Sequence, residues 1–191
     1  MRPVIALLLI SVAACGLSGC APDDHVLGGA PSASPSITPL PGETSVPPEP
    51  VNETVGINCA ALISDQAMYE WGSGNFALDP GFTPAAGSSA AEIAADGGLA
   101  CRWVNLTSQE TVDVAVAIPD EDELAAAQQA AGAGTPAPTL GDAYFRSADG
   151  TGYLDVFSDG YWLSLQSTWF YEAQDAAGLV EAAIAALPPI D

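Results

Sequence analysis

The sequence predicts an α+β fold: a single domain with one antiparallel sheet of about 5–6 strands, packed by N-terminal, middle and C-terminal helices. Segments 142–147, 152–158 and 161–168 alternate apolar and polar residues and are separated by SADGT and by Asp159-Gly160, both turn-forming, so they read as a meander. LACRWVNL (99–106) and TVDVAVAI (111–118) read as a second strand pair, joined by TSQE. Runs with helical spacing lie before, between and after these strands.

After Cys59, AALISDQAMYEWG reads as one helix or two short turns. Ser64 is placed to cap the second piece and Gly72 to end it, with Leu62, Ile63, Met68 and Trp71 on the buried side. NFAL (75–78) is a candidate short strand, and the following loop holds a helical turn around Ser89–Glu92, where a capping-box spacing occurs. Cys101 and Trp103 share one strand face; Val112, Val114, Val116 and Ile118 share another. Pro119 stops that strand, and Asp120-Glu121-Asp122-Glu123 opens an Ala-rich helix to about Ala131, because carboxylates are favoured in a first turn. GAGTPAPTLG closes it as a loop. In the last strand Leu163 and Leu165 face one way and Trp162, Ser164 and Gln166 the other. The final helix is expected from about Tyr171 to Leu187, with Ala173, Ala176, Ala177, Val180, Ile184 and Leu187 on its apolar side, and one face of the sheet is expected to be covered.

Ahead of this domain the chain opens MRPVIALLLISVAACGLSGC. Arg2 and the apolar run Val4–Ala14 describe a secretory signal peptide over 1–19, too short for the ~20 apolar residues that span a bilayer as helix. Leu17-Ser18-Gly19-Cys20 resembles the lipobox of bacterial lipoproteins, which implies that the Cys20 thiol is diacylated and becomes the first residue of the mature chain. The competing reading is an ordinary cleavage site beside an incidental cysteine. Residues 20–56 then form a lipidated Cys and a Pro/Ser-rich tether with no helical or strand period, expected to be disordered and to average roughly 35 Å end to end. Residues 57–191 have the size of one extracytoplasmic domain. The expected location is the outer face of the cell membrane.

The formal net charge is −21, there is no lysine, and loss of Arg2 with the leader would leave only Arg102 and Arg146. Such a surface repels nucleic acid, and dispersed carboxylates keep an Ala-rich domain soluble. The Ala, Gly and Pro content without lysine suggests a GC-rich genome and hence an actinobacterium. With Cys15 discarded and Cys20 acylated, Cys59 and Cys101 remain, and outside the cytoplasm two such cysteines pair. A redox or nucleophilic thiol is disfavoured, since there is no CxxC and His25, the only histidine, lies in the tether.

That histidine count removes a Ser-His-Asp relay and a histidine-bound zinc, and the missing lysine removes Schiff-base chemistry. GxSxG, P-loop and dinucleotide motifs are absent. A two-carboxylate glycosidase survives this elimination, but with 24 acids in the chain some pair falls at a suitable separation by chance. The acidic tetrad 120–123 lacks the alternating Asp spacing of a calcium loop. No cofactor and no metal are expected. Tyr161-Trp162 and Trp169-Phe170-Tyr171 form the most suggestive patch, a candidate partner or ligand surface if exposed and a core if not; Trp162, opposite Leu163 and Leu165, is the member expected to be exposed or to cover a groove.

Cys59, Cys101-Arg102-Trp103 and Leu140-Gly141-Asp142-Ala143-Tyr144, with the terminal helix, resemble the actinobacterial secreted lipoproteins of unknown function that pair these two cysteines. The resemblance implies a disulfide-bonded lipoprotein with no assigned reaction and, by analogy with related envelope lipoproteins, a PsbP-like sheet-and-helix sandwich. The expected function is a non-catalytic binding or interaction module, lipid-anchored, with an unknown envelope protein, glycan or lipid as partner. The alternatives are a small-ligand or lipid carrier with an internal pocket and a carboxylate-dependent wall hydrolase.

Overall fold

The structure, a computed structural model, describes residues 54–72 and 74–190. The expected leader, Cys20, His25 and nearly all of the expected tether lie outside the described residues.

Among the described residues, seven strands form one antiparallel sheet: β1 (Phe76–Leu78), β2 (Leu99–Asn105), β3 (Thr111–Ala117), β4 (Thr135–Pro136), β5 (Asp142–Ala148), β6 (Thr151–Ser158) and β7 (Tyr161–Ser167), in the order β1-β2-β3-β7-β6-β5-β4. The helices are α1 (Cys59–Leu62), α2 (Asp65–Gly72), α3 (Ser89–Ala95), α4 (Glu121–Ala131) and α5 (Ala177–Ala186). The fold is therefore α+β. Among the described residues no helix is long and apolar enough to cross a membrane.

Turn chemistry sets the register. Asp149-Gly150 and Asp159-Gly160 have φ of 50° and 79°, and 50° and 85°, the pairing of positive angles that a two-residue type I′ hairpin requires. The β5–β6 hairpin consequently closes on the pair Ala148↔Thr151, one residue tighter on each side than the sequence suggests. At the β2–β3 turn the Asn105 side chain accepts from the amides of Thr107 (2.9 Å) and Ser108 (3.0 Å), holding the longer loop. The register then aligns Val112, Val114 and Val116 with Ser167, Leu165 and Leu163, so one face is apolar across the central strands.

That face carries the main core. Trp103, Val114, Leu154, Val156, Leu163 and Leu165 pack against Leu62 and Ile63, Met68 of α2, Phe170, and Leu179, Val180 and Ala183 of α5. The Cys59–Cys101 disulfide fastens α1 to β2 at a Cα separation of 5.6 Å. The expectation of a single covered face needs correction. On the second face Ala115, Ala117, Phe157 and Trp162 pack beneath Ala90 and Ile93 of α3 and Ala127 and Ala131 of α4. Small alanines on β3 and α4 let helix backbone approach the sheet closely, so both faces are buried.

The acidic tetrad behaves as a helix start. Asp120 caps the Glu123 amide at 2.9 Å, while the Glu123 carboxylate accepts the Asp120 amide at 3.0 Å. At α3 the cap is Ser88, which accepts from Ala91, one residue before the expected position. The expected C-terminal helix is divided: a 3-10 turn (Ala173–Ala176) precedes α5, because the Asp175 carboxylate bonds the amides of Tyr171 and Glu172 and turns the chain back. Its buried positions are Ala176, Leu179, Val180 and Ala183. β4 lies within the expected loop 132–141, an edge strand short enough to hold Pro136. The packed body also takes in Val55, ahead of the expected boundary at 57.

Candidate functional site

Antiparallel strands give the sheet two distinct ends. β2 and β7 begin at one end, where Thr54 lies beside Gly97 and Gly56 beside Pro188: an added methyl on Gly97 would meet Thr54 Oγ1 at 3.3 Å, and one on Gly56 would meet Pro188 at 3.6 Å. The Tyr161 hydroxyl donates to the Pro188 carbonyl at 2.8 Å, holding the C-terminal tail across the same end. The chain preceding residue 54 attaches here. The hairpins after β2 and β5, and the segment following β7, turn at the opposite end.

Tyr161, Trp162, Trp169 and Tyr171, singled out from the sequence, do not form one surface. Tyr161, only 4 % exposed, belongs to the main core, and desolvation raises its hydroxyl pKa. Trp162 is only 6 % exposed but borders a groove of about 340 Å³ between α3 and α4, with Glu92, Asp96 and Glu123; it is stacked on Phe157 with centroids 6.4 Å apart, its indole N–H donating to Asp155 Oδ1 at 3.0 Å. Its alternation opposite Leu163 and Leu165 holds, but the face it points to is itself covered. Trp169 and Tyr171 lie at the end of the sheet away from residue 54, Tyr171 being 83 % exposed.

Trp169 is part of an aromatic cluster that the sequence reading did not assemble. Its ring centroid lies 5.8 Å from Trp71 and 5.2 Å from Phe76, edge-on to the latter; Trp71 also meets Phe76 at 5.7 Å and Phe170 edge-on at 5.9 Å. Such tilted and edge contacts are worth about 0.5–1.5 kcal/mol each beyond area burial. Both indoles are oriented by hydrogen bonds, Trp71 Nε1 to the Asp175 carbonyl (2.6 Å) and Trp169 Nε1 to Glu110 Oε2 (2.5 Å). The bond from Trp169, with one from Ser108, holds the Glu110 carboxyl below its ordinary pKa.

Trp71, Phe76 and Trp169 are only half-buried, and Tyr69 (61 % exposed) and Leu106 (59 %) border the same loop. Leu106 donates its amide to the Asn75 carbonyl, and the Tyr69 ring lies against Gly74. From Trp71 a groove of about 390 Å³ runs between α2 and α5, lined by Ala67, Glu70, Gly178, Glu181 and Ala182. Close backbone approach across the sheet seats this end: a methyl on Gly152 would meet the Phe170 carbonyl oxygen at 2.2 Å.

The second sheet face holds a polar row. Arg102 grips Asp113 with two bonds, Nε to Oδ1 at 2.6 Å and a terminal nitrogen to Oδ2 at 2.7 Å, and Gln166 adds a third at 2.6 Å. The hydrogen bond to Asp113 leads in raising the Arg102 pKa, and its guanidinium lies over Phe82 at 4.2 Å. Arg146 lies over the ring of Tyr153 at 3.9 Å. Desolvation pushes the Asp155 carboxyl up, opposed by its bonds to Trp162 and Ser164 and by the Arg146 charge. Asp113 and Asp155 are thus both buried and engaged by neighbours. Among the described residues, no group of three or more His, Cys, Asp or Glu side chains is arranged to hold a metal ion.

The chain matches no family model, no curated protein and no solved structure.

Proposed function

We propose that the protein is a lipid-anchored module on the outer face of the cell membrane, which binds a partner of the envelope and catalyses no reaction. One observation carries this reading: the chain enters the domain at one end of the sheet, where Ile190 is the exposed large apolar residue, while the exposed and half-buried aromatic side chains Tyr69, Trp71 and Trp169 gather at the other with Leu106. A tether attached at Cys20 would hold the first end toward the membrane and leave Tyr69, Trp71, Leu106 and Trp169 facing outward. Exposed aromatics of this kind supply large contact area at low conformational cost. The carrier alternative needs an internal space, whereas Leu62, Trp103, Leu154, Leu163 and Leu165 occupy the interval between sheet and helices. The buried acids Asp113 and Asp155 serve Arg102 and Trp162, so a hydrolase would have to draw on exposed carboxylates such as Glu92, Asp96 and Glu123 along the groove between α3 and α4.

Site-specific photo-crosslinking in cells tests the reading. A crosslinker at Tyr69 or Leu106 is expected to trap a partner, and one at Asp159 near the tethered end is not. Adducts from Asp159 alone, or from no position, would overturn it. Radioactive palmitate should label the wild type and not Cys20→Ala; an unlabelled wild type would remove the anchor.

A further inference from the structure

We propose that the outer edge of β1 is a docking strand: an extended polypeptide segment with apolar side chains at alternate positions adds to the sheet beside Phe76–Leu78. This rests on the interaction-module reading above and assigns its partner a backbone conformation and a chemistry.

The argument is where the backbone groups of the two edge strands, β1 and β4, point. In an antiparallel pair, alternate residues direct both amide and carbonyl to the same neighbour. On the β2 side these residues are Asn75, whose carbonyl accepts the Leu106 amide at 2.8 Å, Ala77, aligned with Val104, and Asp79, whose amide donates to the Arg102 carbonyl at 2.8 Å. Phe76 and Leu78 therefore aim their amides and carbonyls out of the sheet, and among the described residues nothing bonds them. Two donors and two acceptors at strand spacing are the template that one further strand completes. The β4 edge lacks this template. Ala137 turns its amide inward to the Ala143 carbonyl at 2.8 Å, so the outward position falls on Pro136, which has no N–H.

Side chains decide what the added segment carries. Phe76 and Leu78 pack on the main-core side and are only half-buried, and the half-buried Trp71 ring lies 5.7 Å from Phe76. Residues of an added strand on that side would stand beside Phe76 and Leu78, where apolar side chains extend the core and polar ones lose water without gaining a partner. On the other side the small Ala77 leaves room for any residue. Alternation follows.

Other occupants fit less well. A second copy, pairing β1 with β1, would bring another −21. The chain preceding residue 54 enters beside Gly97, ahead of β2, whereas β1 lies along Trp103–Asn105 at the far end of that strand.

Amide hydrogen exchange of the full chain in detergent, read residue by residue by NMR, tests the edge. In the free protein the Ala77 amide should be protected, and those of Phe76 and Leu78 should exchange about ten-fold faster. The peptide acetyl-Ser-Val-Thr-Val-Thr-Val-Ser-amide should slow both of them about ten-fold, with an affinity that changes less than about two-fold between 50 and 500 mM salt. Its counterpart N-methylated at every valine and threonine keeps the side chains, loses the ladder donors and should not bind. Leu78→Pro removes an outward donor and no bond to β2, and should weaken the peptide about ten-fold; Leu78→Val trims the side chain, keeps the donor and should weaken it less than about three-fold. The methylated peptide, used on the unaltered chain, decides the matter if Leu78→Pro does not fold. Equal binding of the methylated peptide, equal losses in the two variants, or Phe76 and Leu78 amides already protected in the free chain would overturn the proposal. Protection released on dilution to the monomer, seen by sedimentation, would replace the peptide with a second copy. A partner that crosslinks from Tyr69 in cells, with no protection of Phe76 and Leu78 by the peptide, keeps the module reading and loses this one.

Discussion

Replacing Arg102 by Met would expose how the second sheet face is held. Asp113 is 1 % exposed, and its two oxygens accept three bonds, two from Arg102 and one from Gln166. Without the guanidinium the carboxylate keeps one neutral donor inside a covered sheet. Breaking a buried pair on one side costs about 3–5 kcal/mol because the remaining charge is uncompensated. The Arg102 side chain is itself 29 % exposed, so water can enter the vacated side, which places the expected loss near 3 kcal/mol. That is a large share of the 5–15 kcal/mol typical of a folded domain. Urea unfolding followed by tryptophan fluorescence measures it, provided the slope is unchanged between variants. The double variant Arg102→Met/Asp113→Leu should recover most of the loss, since apolar replacement of both partners is close to neutral. A single variant costing under about 1 kcal/mol, or a double variant no better than the single, would refute the reasoning.

Other variants probe the remaining supports. Gly152→Ala places a methyl against the Phe170 carbonyl, a backbone atom that cannot rotate away, and should cost about 1–3 kcal/mol while loosening Trp169 from Trp71; near-UV circular dichroism reads the second effect. Removing the disulfide, whose cysteines are 42 residues apart in sequence, with Cys59→Ala/Cys101→Ala should lower stability by about 4 kcal/mol in the chain-entropy view, measured by chemical unfolding. Asp155→Asn retains an oxygen to accept the Trp162 N–H and removes a carboxyl whose pKa burial raises. A raised pKa means that the folded state holds the proton more tightly, so the wild type loses stability as pH rises from the ordinary value of 3.8 through the folded value. The Asn variant should therefore gain on the wild type between about pH 4 and pH 7, and urea midpoints at those two pH values check the sign.

The physical strength of each local signal decided how far it could be read. The Asp-Gly turns, the Asp120 cap and the Val and Leu alternations are fixed within a few residues, and these elements occur where the sequence places them. β3 shows where such reading fails. Its valines mark one buried face, but Asp113, Ala115 and Ala117 look like a solvent face and are buried as well, the alanines under α3 and α4 and the aspartate in its ion pair. Alanine carries too little hydrophobic signal to announce a packed face. Trp162 lies on this same covered face, where it borders the groove between α3 and α4 instead of standing exposed. β4 escaped notice because two residues have no period, and the break before α5 depends on Asp175 folding back onto Tyr171 and Glu172. At the candidate site Trp169 and Tyr171 were visible as aromatic residues beside the last strand. Their neighbours Trp71, Phe76 and Leu106 come from distant segments, and no sequence spacing relates them.

The mass of the intact protein extracted from native membranes, with and without a thiol reagent, bears most directly on the account. The expected species begins at Cys20, carries a diacylglyceryl group there, and gains no label at Cys59 or Cys101 until it is reduced. An unmodified amino terminus would contradict the anchor on which the outward-facing aromatic end depends, and labelling before reduction would contradict the bridge between α1 and β2.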